Sequence, residues 1–326
     1  VVGPILEEHS KRKIGTDLGL AMNPEFLAEG SAVFDFMNPD RIVIGSNNDQ
    51  AAQTLIKLYE PFVGTDLIIT QLATAEMIKY TSNAFLASVI SFSNEIANLC
   101  SKLDGVDILD VLGGVHSDRR LSPLLDIGRV TPGLMSFLHP GTGFGGSCFP
   151  KDVKALISFA EQKGSQVPIL KSVIETNILQ TTVTVDLVKE ELTTLFDKRI
   201  VVLGLAFKPG TDDIRESPAL NIIKSLVESG AKVVAHDPIA IANMERQFSS
   251  PMLSYCSNLR EAVKDADAVI LVTSWPEYND LHMVLDVKGI PVIDGRRSLN
   301  KYNFKRYRGI GIGIGVSSSK DKEIVK

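Results

Sequence analysis

The sequence has few of the features that mark secreted, membrane-spanning or nucleic-acid-binding proteins. Its 326 residues contain three cysteines, Cys100, Cys148 and Cys256, and this odd number at wide spacing excludes a disulfide framework and a zinc-type cluster. No apolar run reaches the length that crosses a bilayer. A net charge of −5 without a basic block argues against nucleic acid as a partner. We therefore expect a cytoplasmic protein without membrane, nucleic-acid or metal partners.

A second absence concerns the dinucleotide fingerprint. No predicted strand is followed by G-x-G-x-x-G, although the chain has 25 glycines. The Gly–Ile alternation at 309–315 lacks the downstream helix that the fingerprint needs, and we predict a terminal strand there. The chain also begins at Val1 without methionine and enters a helical pattern at 5–11 at once. We therefore expect the chain to be an excerpt of a longer protein.

Strand and helix patterns alternate at both ends of the chain, which is typical of parallel α/β folds. The strands are predicted at 18–22, 41–45, 66–70, 199–203, 232–235, 268–273 and 292–294, and the helices between them at 24–30, 50–59 and 218–229. The middle is helical, with predicted helices at 74–103, 107–112, 153–163 and 169–196 and an irregular stretch at 117–140. Because helix 74–103 is apolar on several faces, we expect a second copy of the chain to cover it; burial between two domains is the alternative.

The glycine-rich segment 141–152 reads GTGFGGSCFPKD. Its glycines permit close approach of backbone to a ligand, and Pro150 suits the first turn of a helix. We therefore predict Cys148 at a helix N-terminus, where the helix dipole and Lys151 favour the thiolate and covalent catalysis. A simple turn with a buried cysteine is the alternative interpretation.

Three pairs of polar residues have the i,i+4 spacing that places both members on one helix face. These pairs are Glu25/Glu29, Lys79/Asn83 and Cys148/Asp152. A thiol, an amine, a carboxamide and carboxylates are the groups needed for covalent capture, proton transfer and oxyanion binding. A solvated helix surface is the alternative for each pair alone.

Taken together, five motifs resemble those of the UDP-glucose/GDP-mannose dehydrogenase family. They lie at 23–30 (NPEFLAEG), 76–83 (EMIKYTSN), 141–152, 207–217 (FK and RES) and 294–297 (DGRR). The resemblance covers nearly the whole chain. It implies the end of a Rossmann NAD-binding domain at 1–72, a central helical dimerisation domain at 73–196, and a C-terminal Rossmann-like domain for a UDP-sugar at 197–326.

The resemblance also implies an activity and a set of roles. Family members use NAD to oxidise the primary alcohol of a nucleotide sugar twice, to the uronic acid. Cys148 would form a thiohemiacetal and then a thioester. Lys79, Asn83 and Asp152 would handle the alcohol proton and the oxyanion, and Glu25 would assist hydrolysis. The implied cofactor contacts are Glu29, Lys151 and Arg215.

The implied substrate contacts come from several motifs. They are Phe26, Leu27, Phe137, Leu138, Gly141, Phe144, Gly145, Phe207, Lys208 and Arg296. A further arginine would come from the partner subunit of a homodimer; Arg120 is the candidate and Arg129 the alternative.

The sequence leaves two questions open: which nucleotide sugar is the substrate, and whether the chain alone is active. UDP-glucose is favoured because Ser147 stands where the N-acetylmannosamine branch of the family has histidine; GDP-mannose and UDP-N-acetylhexosamines are the alternatives. The chain alone could also be an inactive module that binds a nucleotide sugar and dimerises. A thiol-dependent acyl transferase would need a histidine base, and none of the five histidines lies in the paired motifs.

Overall fold

A computed structural model describes residues 2–285 and 289–316. The chain forms two compact units, Val1–Asn83 and Ala84–Lys326. The first unit contains a three-stranded sheet in which β2 pairs parallel with β3 and antiparallel with β1. Its elements are α1 Val2–Ser10, β1 Ala21–Met22, α2 Ala32–Met37, β2 Arg41–Ser46, α3 Asp49–Tyr59, β3 Asp66–Thr70 and the start of α4 Leu72–Cys100.

The second unit begins with the rest of α4 and a set of further helices around the glycine-rich segment. These elements are α5 Ile108–His116, a short hairpin of β4 Leu124–Leu125 and β5 Gly128–Arg129, a 3-10 turn at Gly133–Ser136, α6 Phe149–Gln162 and α7 Pro168–Leu192. The predicted helices of this region are confirmed, with shifts of a few residues at their ends. The stretch predicted to be irregular contains the hairpin.

A six-stranded, all-parallel sheet forms the rest of the second unit, in the order β11-β10-β9-β6-β7-β8. The strands are β6 Arg199–Leu203, β7 Lys232–His236, β8 Leu253–Tyr255, β9 Ala268–Leu271, β10 Val292–Asp294 and β11 Tyr307–Gly309; the helices are α8 Pro218–Glu228, α9 Ile241–Gln247, α10 Leu259–Ala262 and α11 Leu281–Val284, with 3-10 turns at Pro276–Tyr278 and Lys301–Asn303. Residues 200–203 and 268–271 are fully buried, so this sheet is the centre of the main core.

Side-chain caps explain where several helices begin. The side chains of Asn48, Asp107 and Ser217 accept hydrogen bonds from backbone N–H groups in the first turns of α3, α5 and α8. Such a bond satisfies a donor that has no partner inside the helix. The predicted cap at Ser217 followed by Pro218 is confirmed.

Two predicted elements are wrong. Residues 24–30 do not form a helix, because Asn23 donates its side-chain amide to the Val43 carbonyl at 2.7 Å and the Leu27 N–H donates to the Glu25 carboxylate at 2.7 Å. Glu25 and Glu29 therefore do not share a helix face. The terminal strand ends at Gly309, because Gly311 has a φ of +75°, outside the extended region. The strand predicted at 18–22 is reduced to β1.

Candidate functional site

Three amide side chains hold the backbone of the glycine-rich loop in the second unit. Asn94 of α4 accepts from the Gly141 N–H at 2.7 Å, and Gln180 of α7 donates to the Gly141 carbonyl at 2.9 Å. Asn177 accepts from the Phe144 N–H at 2.7 Å and donates to its carbonyl at 3.0 Å. Because each contact satisfies a backbone group that has no partner in a helix or sheet, the amides fix the path of the loop.

Glycine is required at the far end of this loop. A Cβ on Gly145 would lie 2.5 Å from the Glu216 carbonyl oxygen, and Gly146 has a φ of +80° with its N–H donating to the Arg215 carbonyl at 2.8 Å. The backbone of the loop therefore packs closely against the segment that follows β6. The predicted close approach of this backbone to a ligand stays a prediction.

Cys148 lies at the N-cap of α6 and is exposed. The Ser147 hydroxyl is 3.6 Å from its sulfur, and Pro150 occupies the first turn of the helix. The predicted position at a helix N-terminus is confirmed. Asp152 is buried one turn further on, and the ammonium of Lys151 pairs with its carboxylate. An exposed thiol at the positive end of a helix is placed to act as a nucleophile.

A cavity of about 430 Å³ adjoins the same loop in the second unit. Its walls include six of the residues predicted to contact substrate: Phe137, Phe144, Gly145, Phe207, Lys208 and Arg296. Gly141 and Leu138 are buried, Gly141 in the amide contacts above and Leu138 in an apolar cluster that includes Ala97 and Ile108. The volume and the mixture of aromatic rings with three cations, Lys208, Arg296 and Arg297, suit a nucleotide carrying phosphate.

Arg296 is the central cation of this cavity. Its Nε donates to the Val272 carbonyl at 2.5 Å and its Nη1 to the Gly143 carbonyl at 3.2 Å. Burial lowers the pKa of Arg296 to about 10, so the guanidinium is still charged at neutral pH. These two partners are neutral, which leaves the positive charge available to an anionic ligand.

Sequence reasoning missed two groups of residues at this site. His139 and Ser274 line the cavity, and burial lowers the pKa of His139. The amides of Asn94, Asn177 and Gln180 were also missed. The sequence carried no clear signal for the amides, because Asn94, Asn177 and Gln180 all have polar neighbours in their helices. There was no signal for His139 and Ser274 either.

The first unit places Glu25, Lys79 and Phe26 together. The Lys79 ammonium lies 3.3 Å from a Glu25 oxygen and 5.4 Å from the centre of the Phe26 ring, and Arg41 stacks 3.9 Å from the same ring. Glu25, Phe26 and Leu27 line a crevice of about 330 Å³. Asn83 is buried and Glu29 lies in a turn. The predicted contact residues of motif 23–30 thus flank one opening.

The two arginines considered for a neighbouring subunit are in different surroundings. Arg129 donates its Nη1 to the carbonyls of Ser117 and Ser122 at 2.7 and 2.9 Å. The Arg120 side chain is 88% exposed and forms a bidentate pair with Asp118; hydrogen bonds from Arg120 lower the pKa of Asp118 to about 2. Both arginines are exposed, but the Arg129 guanidinium binds two backbone carbonyls of its own chain, whereas the Arg120 guanidinium pairs with a neighbouring side chain. Arg215 is likewise exposed and pairs with Asp213 at 2.8 Å.

The described residues contain neither a cluster of metal ligands nor a membrane-spanning helix. Within 2–285 and 289–316, no three His, Cys, Asp or Glu side chains cluster in a way that could hold a metal ion. In the same ranges, no helix combines the length and hydropathy that a bilayer crossing requires.

The chain matches three family models in sequence order. Residues 1–63 match the NAD binding domain, residues 73–178 the central domain, and residues 201–301 the UDP binding domain of the UDP-glucose/GDP-mannose dehydrogenase family. The chain belongs to this family, and the predicted fold class is confirmed. The cavity is lined by residues of both the central-domain match and the UDP-binding-domain match.

Within the family, the similar curated proteins are UDP-glucose 6-dehydrogenases. AglM of Haloferax volcanii is 42% identical over 92% of this chain and 67% of its own length, and TuaD of Bacillus subtilis is 42% identical over 91% and 61%. The chain thus spans about two thirds of the length of the relatives it matches.

Two solved structures of UDP-sugar dehydrogenases are also similar to this chain. A UDP-glucose dehydrogenase from Pyrobaculum islandicum is 37% identical, with a TM-score of 0.79 over 93% of this chain and 66% of that one. A UDP-D-ManNAc dehydrogenase from Pyrococcus horikoshii is 27% identical, with a TM-score of 0.76 over 95% and 68%.

Proposed function

We propose that this chain is the greater part of an NAD-dependent dehydrogenase that oxidises UDP-glucose to UDP-glucuronate. The observation that carries the proposal is the exposed thiol of Cys148 at the start of α6, on the loop that also lines a cavity with Lys208 and Arg296. A nucleophile beside a binding site for an anionic nucleotide suits covalent oxidation of a nucleotide sugar.

The substrate assignment rests on the cavity and on the relatives. Lys208 and Arg296 supply the charge for the diphosphate, and the rings of Phe137, Phe144 and Phe207 supply apolar walls for the nucleoside. The curated relatives at 41–42% identity carry the name UDP-glucose 6-dehydrogenase, whereas the similar UDP-D-ManNAc enzyme is 27% identical. UDP-glucose is therefore favoured over GDP-mannose and UDP-N-acetylhexosamines.

The thiol explains how an alcohol can be oxidised twice at one carbon. The Cys148 sulfur adds to the carbonyl carbon of the aldehyde, and the carbonyl oxygen takes up a proton, so the carbon becomes an alcohol carbon again. This hemithioacetal can lose its C–H hydrogen as hydride and its hydroxyl hydrogen as a proton. Its oxidation gives a thioester, which water hydrolyses to the carboxylate and the free thiolate. We assign Lys79, Asn83 and Asp152 to the alcohol proton and the oxyanion, and Glu25 to the hydrolysis.

NAD accepts the two hydrides when it is bound. Glu29, Lys151 and Arg215 are the residues of this chain that we assign to its contacts. They do not amount to a dinucleotide site, because no strand in the described residues is followed by the glycine fingerprint that holds a pyrophosphate. For the chain on its own, this favours the second candidate function, a module that binds the nucleotide sugar without turnover.

We further propose a homodimer through α4. Phe85, Phe92 and Leu99 recur every seven residues and are 54%, 57% and 59% exposed. A stripe of this kind on one helix is covered when a second copy packs against it in a two-fold contact. The exposed Arg120 is then our candidate for the arginine that one subunit gives to the substrate of the other.

Stoichiometry tests the proposed function. The full-length protein, incubated with UDP-glucose and NAD, is expected to form two NADH for each UDP-glucuronate, with GDP-mannose and UDP-N-acetylmannosamine as comparison substrates. Turnover of GDP-mannose without turnover of UDP-glucose would contradict the substrate assignment. One NADH per product would contradict the double oxidation.

A further inference from the structure

A buried carboxylate in the second unit contacts two cations, and one of them, Arg297, lines the cavity. Asp107 is 4% exposed. It accepts from the Arg297 guanidinium at 2.8 and 2.9 Å, from the Lys301 ammonium at 2.9 Å, and from the Leu109 N–H at 3.0 Å. Burial opposes its charge, but Arg297 and the hydrogen bonds outweigh burial and lower the pKa of Asp107. The carboxylate is thus ionised, and both of its oxygens accept hydrogen bonds.

Arg297 reaches this carboxylate from an unusual backbone conformation. Its φ is +52°, which a residue with a side chain adopts only where its surroundings hold it. Gly309 makes room for it, because a Cβ there would lie 2.6 Å from the Arg297 Cδ. The second Nη of Arg297 donates to the Ile310 carbonyl at 2.8 Å. Three hydrogen bonds, and the space that Gly309 leaves, therefore fix the side chain that follows Arg296.

Arg296 and Arg297 are adjacent in sequence but have different partners. Arg296 donates to the carbonyls of Val272 and Gly143 at the cavity wall, whereas Arg297 donates to Asp107 and Ile310. Without a carboxylate at 107, the Arg297 charge would lose its partner within the same cavity lining. The contact with Asp107 therefore separates the roles of the two guanidinium groups.

We infer that Asp107 is a positioning residue for the diphosphate of the substrate, because its contacts with Arg297 and Lys301 hold the segment that carries Arg296 in the cavity wall. The inference rests on the proposed function. Asp107 does not itself line the cavity. Its two ion pairs instead hold Arg297 and Lys301 in place, and Arg296 and Arg297 both line the cavity together with Lys208.

Calorimetric titration of UDP into this chain tests the inference. Asp107→Asn keeps an oxygen for the Leu109 N–H and removes the charge. We expect its Kd for UDP to rise about tenfold. Asp186→Asn, which removes the exposed partner of Lys189, is the matched control and is expected to bind as the wild type does.

The double variant Asp107→Asn with Arg297→Gln separates positioning from folding. It removes the unpaired buried cation, so its thermal midpoint is expected to return toward that of the wild type while UDP binding stays weak. Recovery of both stability and affinity, or an Asp107→Asn Kd within twofold of the wild type, would overturn the inference alone. Failure of the wild-type chain to bind UDP would overturn the proposed function and the inference with it.

Discussion

The carboxylate of Asp237 accepts a hydrogen bond from the backbone N–H of Leu205 at 2.7 Å. The same oxygen accepts from the Ala206 N–H at 3.1 Å and from the Trp275 indole at 3.0 Å. In a dinucleotide-binding fold, the acid after the second strand binds a ribose and the loop after the first strand faces a pyrophosphate. Here the acid, Asp237, accepts hydrogen bonds from the N–H groups of the loop itself. The strand layout of the parallel sheet is therefore that of a nucleotide-binding fold, without a vacant dinucleotide site after β6.

The first prediction follows from the hydrogen bonds between Asp237 and the loop after β6. UDP is expected to bind the chain at the cavity, and NAD is expected not to compete with it. Lys208→Ala should raise the Kd for UDP about tenfold by removing a cation from the diphosphate site. Lys224→Ala, which removes an ammonium near the Phe248 ring, is the control. Displacement of UDP by NAD in a calorimetric competition would contradict the prediction.

The second prediction concerns the amide contacts of the glycine-rich loop. Asn177→Leu removes both hydrogen bonds to Phe144, so a backbone N–H and a carbonyl lose their partner. We expect the free energy of unfolding to fall by about 2 kcal/mol and UDP to bind more weakly. Thr182→Ala, at an exposed position of the same helix, should change neither. Urea denaturation and UDP titration measure the two effects; an Asn177→Leu variant with unchanged stability would show that the loop does not depend on this amide.

The third prediction concerns the stripe on α4. Phe92→Glu places a charge in the middle of the proposed interface, and a folded monomer is expected where the wild type is a dimer. Ile178→Glu changes an apolar residue of α7 that is 66% exposed and should leave the dimer intact. Sedimentation at micromolar concentration distinguishes the species. A wild type that sediments as a monomer would contradict the proposed dimer.

The fourth prediction is a pH dependence of stability. His236 is fully buried with its Nδ1 2.8 Å from the Tyr278 hydroxyl, and burial lowers its pKa. Burial also lowers the pKa of His139. Below the unfolded pKa of about 6.5, the unfolded chain binds protons that the native one does not. Stability is therefore expected to fall as the pH drops below that value, by at most about 1.4 kcal/mol per pH unit for each histidine.

Urea midpoints at pH 7.5, 6.5 and 5.5 measure this dependence. His236→Gln should flatten the loss between pH 6.5 and 5.5, and His9→Gln, on the exposed α1, should not. A midpoint that rises as the pH falls, or an equal loss in both variants, would count against the assignment.

Features set by local chemistry could be predicted from the sequence. Pro150 and the apolar spacing behind it correctly placed Cys148 at a helix start, and Ser217-Pro218 correctly marked the start of α8. The long apolar pattern of α4 was also sufficient to predict a helix. In these cases the residues that decide the structure are neighbours in the chain.

Features set by distant contacts could not be predicted in this way. Residues 24–30 have a helix-like pattern, but the side chain of Asn23 binds a carbonyl of β2 twenty residues away. The support of the loop by Asn177 and the contact of Asp107 with Arg297 join segments that are 33 and 190 residues apart. Spacing and propensity carry no information about such pairs.

The covalent role of Cys148 is the central claim, and its replacement by serine tests it most directly. The full-length Cys148→Ser protein, given UDP-glucose and NAD, is expected to release no UDP-glucuronate, because a serine adduct has a leaving group too poor for thioester-type hydrolysis. Ser147→Ala is the matched control and should still form product. The measurement is UDP-glucuronate release, followed by mass spectrometry of the enzyme for a sugar-nucleotide adduct on residue 148. Near-normal release of UDP-glucuronate by Cys148→Ser would contradict the account.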